Sequence, residues 1–154
     1  MELVSRPPPK RGFHHDLHVR YNETDQMGIV YHANYIIWFN EARDRFMGSL
    51  GISIPELERT GLTFPVTEVT CRYLAPARYG DVVRVWVEPV FSPVARLEIR
   101  YRVTKPKSSQ LLCTGTTVNV ILDANGKMLI KLPAIMQRFA DRFEAVKHAQ
   151  AQRD

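Results

Sequence analysis

Val19-Arg20-Tyr21-Asn22-Glu23-Thr24-Asp25-Gln26-Met27-Gly28-Ile29-Val30-Tyr31-His32-Ala33-Asn34-Tyr35 is the stretch on which the fold turns. Upstream of it, Phe13, His15, Leu17 and Val19 alternate with His14, Asp16, His18 and Arg20, the period-two pattern of a half-buried strand. Downstream, residues 32–50 read as one helix of about five turns. Its first half, Tyr35-Ile36-Ile37-Trp38-Phe39, is apolar on nearly every side and is expected to be buried almost all round. Its second half keeps an apolar face of Ala42, Phe46, Met47 and Leu50, with Arg43, Asp44 and Arg45 turned to water. Glu41 stands four residues before Arg45, the favourable order for an ion pair along a helix. Between strand and helix lies an acidic turn that carries Asp25.

Ser53-Ile54-Pro55-Glu56 fits a capping box opening a short second helix, which Gly61 closes. Strands are then expected over residues 64–73, 82–91, 95–105 and 111–122. A last strand segment, 127–132, follows Asn125-Gly126. In the third of these strands Ala95, Leu97, Ile99, Tyr101 and Val103 alternate with Arg96, Glu98, Arg100 and Arg102. Proline, glycine, serine and asparagine mark the joints, and those joints are too short for parallel crossovers, so the sheet is antiparallel. From Pro133 onward Ile135, Phe139, Phe143 and Val146 mark a terminal amphipathic helix. The expectation is an α+β protein: one long apolar helix covering the apolar face of a curved antiparallel sheet of about five strands. Residues 13–147 form a single domain, with a disordered lead-in over 1–12 and a tail over 148–154. Exposed sheet edges would favour side-by-side dimerisation.

The 154 residues suffice for a core without disulfides. Cys71 and Cys113 lie far apart in sequence, form no Cys-x-x-Cys unit and read as buried reduced thiols. Residues 1–11 contain Pro7-Pro8-Pro9 among basic residues and lack the apolar region of a secretory signal, so a cytoplasmic location is expected. No apolar run approaches the roughly 18–20 residues of a membrane span. The net charge of +5 favours an anionic partner. Because the charges are dispersed and no nucleic-acid motif appears, a small phosphate-bearing molecule is favoured over nucleic acid. His14, Asp16 and His18 share one strand face, but no further ligand group accompanies them and no metal site is expected.

The helix start offers unpaired N–H groups and the positive end of the helix dipole, which can hold an oxyanion as acyl transfer requires. Gly28 would let the backbone approach a ligand, and Asp25 could face the same spot as an ionised carboxylate. Each residue has a plainer reading. Thr24-Asp25 is also an ordinary cap or turn choice, and Gly28 can serve only to supply a positive φ.

The run from Tyr21 to Tyr35, continued by Phe39-Asn40-Glu41-Ala42-Arg43, closely resembles the signature of hotdog-fold acyl-CoA thioesterases. The branch is that of 4-hydroxybenzoyl-CoA thioesterase and the Tol-Pal-associated thioesterases. The turn Pro76-Ala77-Arg78-Tyr79-Gly80-Asp81 also looks like the family's, and the resemblance extends over residues 13–145. It implies a sheet wrapped around the long helix, homodimers that share one sheet and often pair into homotetramers, and active sites at the subunit interface. It implies that Asp25 is the catalytic carboxylate and that the backbone N–H of His32 polarises the thioester carbonyl. The His32 ring and Tyr21 match residues implicated in the Tol-Pal-associated branch, with a helix-start contact and a packed strand-end aromatic as their respective alternatives. Gly28, Val30 and Tyr31 fall at the substrate. Glu41 is expected in a structural ion pair or an interface rather than in chemistry.

The activity so implied is hydrolysis of an acyl-CoA to free acid and coenzyme A, with Asp25 as nucleophile or general base and no metal or redox cofactor. Coenzyme A carries several phosphate charges, for which Arg72, Arg78, Arg96 and Arg100 are candidates, each equally readable as a solvated surface residue. Some family members place consecutive basic residues at the joint that here reads Ser92-Pro93-Val94-Ala95-Arg96, leaving only Arg96. Tyr31, Tyr35, Trp38 and Phe64 could line an aromatic-acyl pocket or simply fill a core. Two other functions fit the same scaffold: a hotdog enoyl-CoA hydratase or dehydratase, whose His-carboxylate motif is not found here, and a non-catalytic acyl-CoA-binding module.

Overall fold

The computed structural model describes residues 12–152. Strand β1 (Phe13–His18) leads through a single 3-10 turn (Tyr21–Glu23) into helix α1 (Ala33–Ser49), followed by a short helix α2 (Ile54–Arg59). Then come β2 (Val66–Tyr73), β3 (Val82–Val90), β4 (Arg96–Thr104), β5 (Leu111–Val120) and helix α3 (Ala134–Ala151). The strands form one antiparallel sheet in the order β1-β3-β4-β5-β2. Strands β1 and β2 are its edges, and α1 lies across the inner face as the hotdog arrangement requires.

Alternation sets which side chains meet the helix. In β4, Leu97, Ile99, Tyr101 and Val103 are buried, and Tyr101 stacks on Phe39 of α1 with ring centroids 4.4 Å apart and planes 9° from parallel. On β5, Gly115 lies directly beneath the Phe39 ring, where a Cβ would collide with both that ring and the Thr70 carbonyl. Glycine is therefore a packing requirement at this point of the strand. Removing the Phe39 side chain would cost about 3–5 kcal/mol. At the other end of α1, Phe46 meets Phe13, Phe139 and Phe143, so α3 is fastened by aromatic contacts. Arg142 of α3 donates to the Leu50 carbonyl, satisfying one of the free acceptors at the C-terminus of α1.

Several expectations need adjusting. Tyr35, Trp38 and Phe39 are buried, but Ile36 and Ile37 are 38% and 59% exposed, so α1 is not covered all round within one chain. Glu41 pairs with His15 of β1 at 2.8 Å rather than along the helix with Arg45. Arg102 is buried, although its strand alternation placed it toward solvent. The segment 127–132 makes only isolated bridges, Leu122 with Met128 and Val94 with Lys131. Helix α3 continues to Ala151, taking in four residues assigned to a tail. The lead-in over residues 1–11 lies outside the described residues. The expected capping box is present, with Glu56 N–H donating to Ser53 Oγ and Ser53 N–H to the Glu56 carboxylate. Among the described residues no helix is long and apolar enough to cross a membrane.

Candidate active site

Residues 24–30 form a tight loop closed by an antiparallel bridge between Thr24 and Val30. Asp25 N–H donates to the Ile29 carbonyl and Gly28 N–H to the Asp25 carbonyl, both at 2.9 Å. Asp25 Oδ1 accepts from Met27 N–H at 2.9 Å, an Asx turn that orients the carboxylate and leaves Oδ2 for other partners. Gly28 has φ +72°, which an L side chain adopts only with strain. Its carbonyl accepts from Arg78 Nη1 at 3.2 Å, so the turn after β2 steadies the loop from outside.

The loop is tied to the core at its exit. Val30 is buried, and its N–H bonds the Ala77 carbonyl at 2.9 Å. The Ala77 N–H in turn donates to the Tyr35 hydroxyl, whose pKa is pushed up to about 12 by burial. Glu23 is the other anchor. Its carboxylate accepts from Arg20 N–H at 2.7 Å and from Trp38 Nε1 at 3.0 Å, while its carbonyl accepts from Tyr31 N–H and Asn34 Nδ2, each at 2.8 Å. Strand end, loop and first helical turn are thereby one hydrogen-bonded unit.

His32 is the residue immediately before α1 and gives no side-chain cap. Tyr31 N–H is committed to Glu23 and Asn34 N–H to the Tyr31 carbonyl. The His32 N–H between them has no acceptor among the described residues. The His32 carbonyl receives the Tyr73 hydroxyl at 2.8 Å, fixing the start of the helix to β2. Burial, together with the neighbouring Cys71 thiol, pushes the Tyr73 pKa up, which keeps its hydroxyl protonated as the donor. The outcome is an oriented carboxylate within the closed loop and an uncommitted backbone donor two residues beyond its exit.

The remaining candidates divide by location. Tyr31 is half exposed with its ring 4.3 Å from that of His32. Tyr21 is 77% exposed and edge-on to Tyr79, so it is not a packed strand-end aromatic. Arg78 reaches the loop, as described. Arg72 alternates with the inward-facing Cys71 and Tyr73 and lies on the outer face of the sheet, and Arg100 pairs with Glu98 at 3.2 Å. Arg96 opens β4 at the end away from the loop, about 26 Å along the strand at 3.3 Å per residue, so one chain does not bring it to Asp25. Tyr35 and Trp38 are core residues, whereas Phe64 lines a cleft of about 220 Å³ with Met47, Leu57 and Leu97 near the far end of α1. Asp16 is held by Arg84 through two hydrogen bonds of 2.7 and 2.8 Å, and among the described residues no group of acidic, His and Cys side chains is placed to hold a metal.

Sequence reasoning did not single out the anchoring roles of Glu23, Asn34 and Tyr73. Glu23 and Asn34 stood inside the decisive stretch, but a role exerted through Trp38 or the backbone leaves no local spacing signal. Tyr73 acts across 41 residues, from a strand whose pairing partner only the fold identifies. The approach of the Cys71 and Cys113 sulfurs, 3.2 Å apart across β2 and β5, was hidden for the same reason.

Comparison with known proteins agrees with the geometry. The family model described as the thioesterase-like superfamily matches residues 19–146. The acyl-CoA thioester hydrolase YbgC of Escherichia coli is 30% identical over 107 residues, which are 70% of this chain and 69% of that protein. The crystal structure of the DHNA-CoA thioesterase from Staphylococcus aureus is similar with a TM-score of 0.74 at 29% identity, covering 92% of this chain and 94% of that one. A 1,4-dihydroxy-2-naphthoyl-CoA thioesterase from Synechocystis shares the fold with a TM-score of 0.77 at 23% identity, over 85% and 94% of the two chains. With the match extending from the end of β1 into α3 and the same helix-and-sheet architecture in both structures, this chain belongs to the thioesterase-like superfamily of hotdog proteins.

Proposed function

We propose that the protein is an acyl-CoA thioesterase, hydrolysing an acyl-CoA to free acid and coenzyme A. The carrying observation is the closed loop that sets the oriented Asp25 carboxylate close in the chain to the uncommitted N–H of His32. In this reading the His32 N–H, assisted by the helix dipole, receives the charge that develops on the thioester oxygen. Asp25 either attacks the acyl carbon, expelling the thiolate and leaving a mixed anhydride for water to cleave, or removes a proton from an attacking water. The departing thiolate has a pKa near 8.5, so no strong general acid is required, and neither a metal nor a redox cofactor takes part. The names of the Escherichia coli and Staphylococcus aureus relatives support the substrate class.

Tyr21, Tyr31 and the His32 ring flank the reacting group, Gly28 admits the thioester against the backbone, and Val30 holds the loop from the core. Arg78 is the best placed of the basic residues for a coenzyme A phosphate. Arg72 and Arg96 serve that purpose only if another face or another copy of the chain completes the site. The exposed edge of β2, with Val66 and Val69, and the open Ile36 and Ile37 of α1 support a homodimer joined along this edge, with dimers pairing into tetramers. The setting is cytoplasmic. A panel of aromatic and aliphatic acyl-CoA esters, assayed for free thiol, tests the reading. Thiol release from at least one member is expected, and release from none would refute it.

A further inference from the structure

Cys71 of β2 and Cys113 of β5 come together on the inner face of the sheet. Cys71 stands opposite Gly115, and Tyr73 opposite Cys113, so the cysteines are diagonal neighbours across one strand pair. Their Sγ atoms are 3.2 Å apart, and both thiols are free. Tyr73, two residues from Cys71, holds the His32 carbonyl and stands edge-on to Tyr35 at 5.2 Å. The dithiol therefore sits one side chain away from the start of α1.

We propose that Cys71 and Cys113 form a redox modification site, closing reversibly to a cross-strand disulfide by exchange with a small-molecule disulfide. The sulfurs need to approach by only about 1 Å to reach bonding distance. Strand β2 pairs within the chain only with β5 and carries an irregularity between Val66 and Glu68 that can supply that movement. Diagonal pairs typically hold their Cα atoms about 7–8 Å apart, just beyond what a relaxed disulfide spans, so closure needs a shift of backbone as well as of side chains. The bond so formed is strained and readily reduced, as a reversible modification requires and a permanent staple does not.

The two sulfurs have distinct parts. Cys113 is fully buried, while Cys71 is partly exposed and meets the reagent first. The hydrogen bond from Cys113 lowers the Cys71 pKa to about 7 against the opposing effect of burial, with a smaller contribution from Tyr73. The same hydrogen bond and burial push Cys113 up. The Cys71 thiolate attacks one sulfur of the reagent RSSR, forming Cys71–S–S–R and releasing RS⁻, which takes up a proton. Cys113 then loses its proton and attacks the Cys71 sulfur, and the second RS⁻ leaves and is protonated. Two protein thiols are oxidised, and one small disulfide is reduced to two thiols. Contraction at this point pulls on Tyr73 and, through it, on the His32 peptide.

Oxidised glutathione added to the reduced full-length protein tests the site by intact mass and thiol titration after denaturation. Both cysteines of the chain are expected to disappear as thiols, with the mass lower by two hydrogens, no glutathione retained, and full recovery with dithiothreitol. Cys113→Ser is expected to trap one glutathione on Cys71, and Cys71→Ser to remain unmodified. Wild type that retains glutathione beside a free Cys113, or that does not react, overturns the proposal. The further expectation that closure lowers thioester turnover, by up to about 10²-fold for a 1 Å displacement of the helix start, rests on the proposed function. Closure with no turnover in either redox state would refute that function and leave the dithiol site standing.

Discussion

Glu23 bears much of the order at the candidate site without belonging to the chemistry. Its carboxylate joins the backbone at Arg20 to the indole of Trp38, and its carbonyl gathers Tyr31 and Asn34. Trp38 is 1% exposed, so its N–H has little access to water if the carboxylate is removed. Glu23→Ala is expected to cost about 1–3 kcal/mol and to lower the melting temperature by roughly 2–4 °C per kcal/mol. Adding Trp38→Phe should then cost less than it does in wild type, because the shared bond is already gone. Full additivity in thermal melts of the four proteins would contradict this role. Asp25 and Gly28 were conspicuous in the sequence because a carboxylate and a glycine in a short turn restrict the local geometry. Glu23 was not, because its partner Trp38 comes fifteen residues later, beyond the loop and inside α1.

At the scale of elements, alternation and helical period located the central helix and the five strands to within a few residues. The errors came from what lies beyond a single element. Ile36 and Ile37 look like core residues by composition, yet they project from the side of α1 that the five strands of one chain do not cover. Arg102 follows the polar half of an alternating strand but is buried, flanked across the sheet by Trp86 of β3 and Thr114 of β5. Edge strand β1 is fixed to β3 by Asp16 and Arg84, and the hydrogen bonds from Arg84 hold the Asp16 carboxyl below its ordinary range. A depressed folded pKa gives stability that is present above the unfolded value of about 3.9 and lost as pH falls through the folded value. Wild type should therefore melt above Asp16→Asn near neutral pH, by a small margin because the pair is partly solvated, and the gap should close below about pH 4. A gap of constant size down to low pH would contradict that account.

On the scale of the molecule, the sheet and helix make one layer each, and the candidate site lies where β1, the 24–30 loop, the 75–81 turn and the start of α1 converge. That convergence was legible because strand, acidic turn and helix are contiguous in the chain. The phosphate contacts were not, because Arg72, Arg78, Arg96 and Arg100 scatter over different faces and ends of the sheet, and only Arg78 approaches the loop. Val66 and Val69 on β2 and Ile36 and Ile37 on α1 leave apolar side chains exposed, in keeping with the proposed dimer. The proposed function sets the Asp25 carboxylate to work on a thioester held at the His32 N–H. Its most direct test is kcat/KM for Asp25→Asn beside wild type, on an acyl-CoA that wild type hydrolyses and with folding checked by thermal melt. A fall of about 10²–10⁴-fold with the fold intact is the predicted result, and turnover equal to wild type would contradict it.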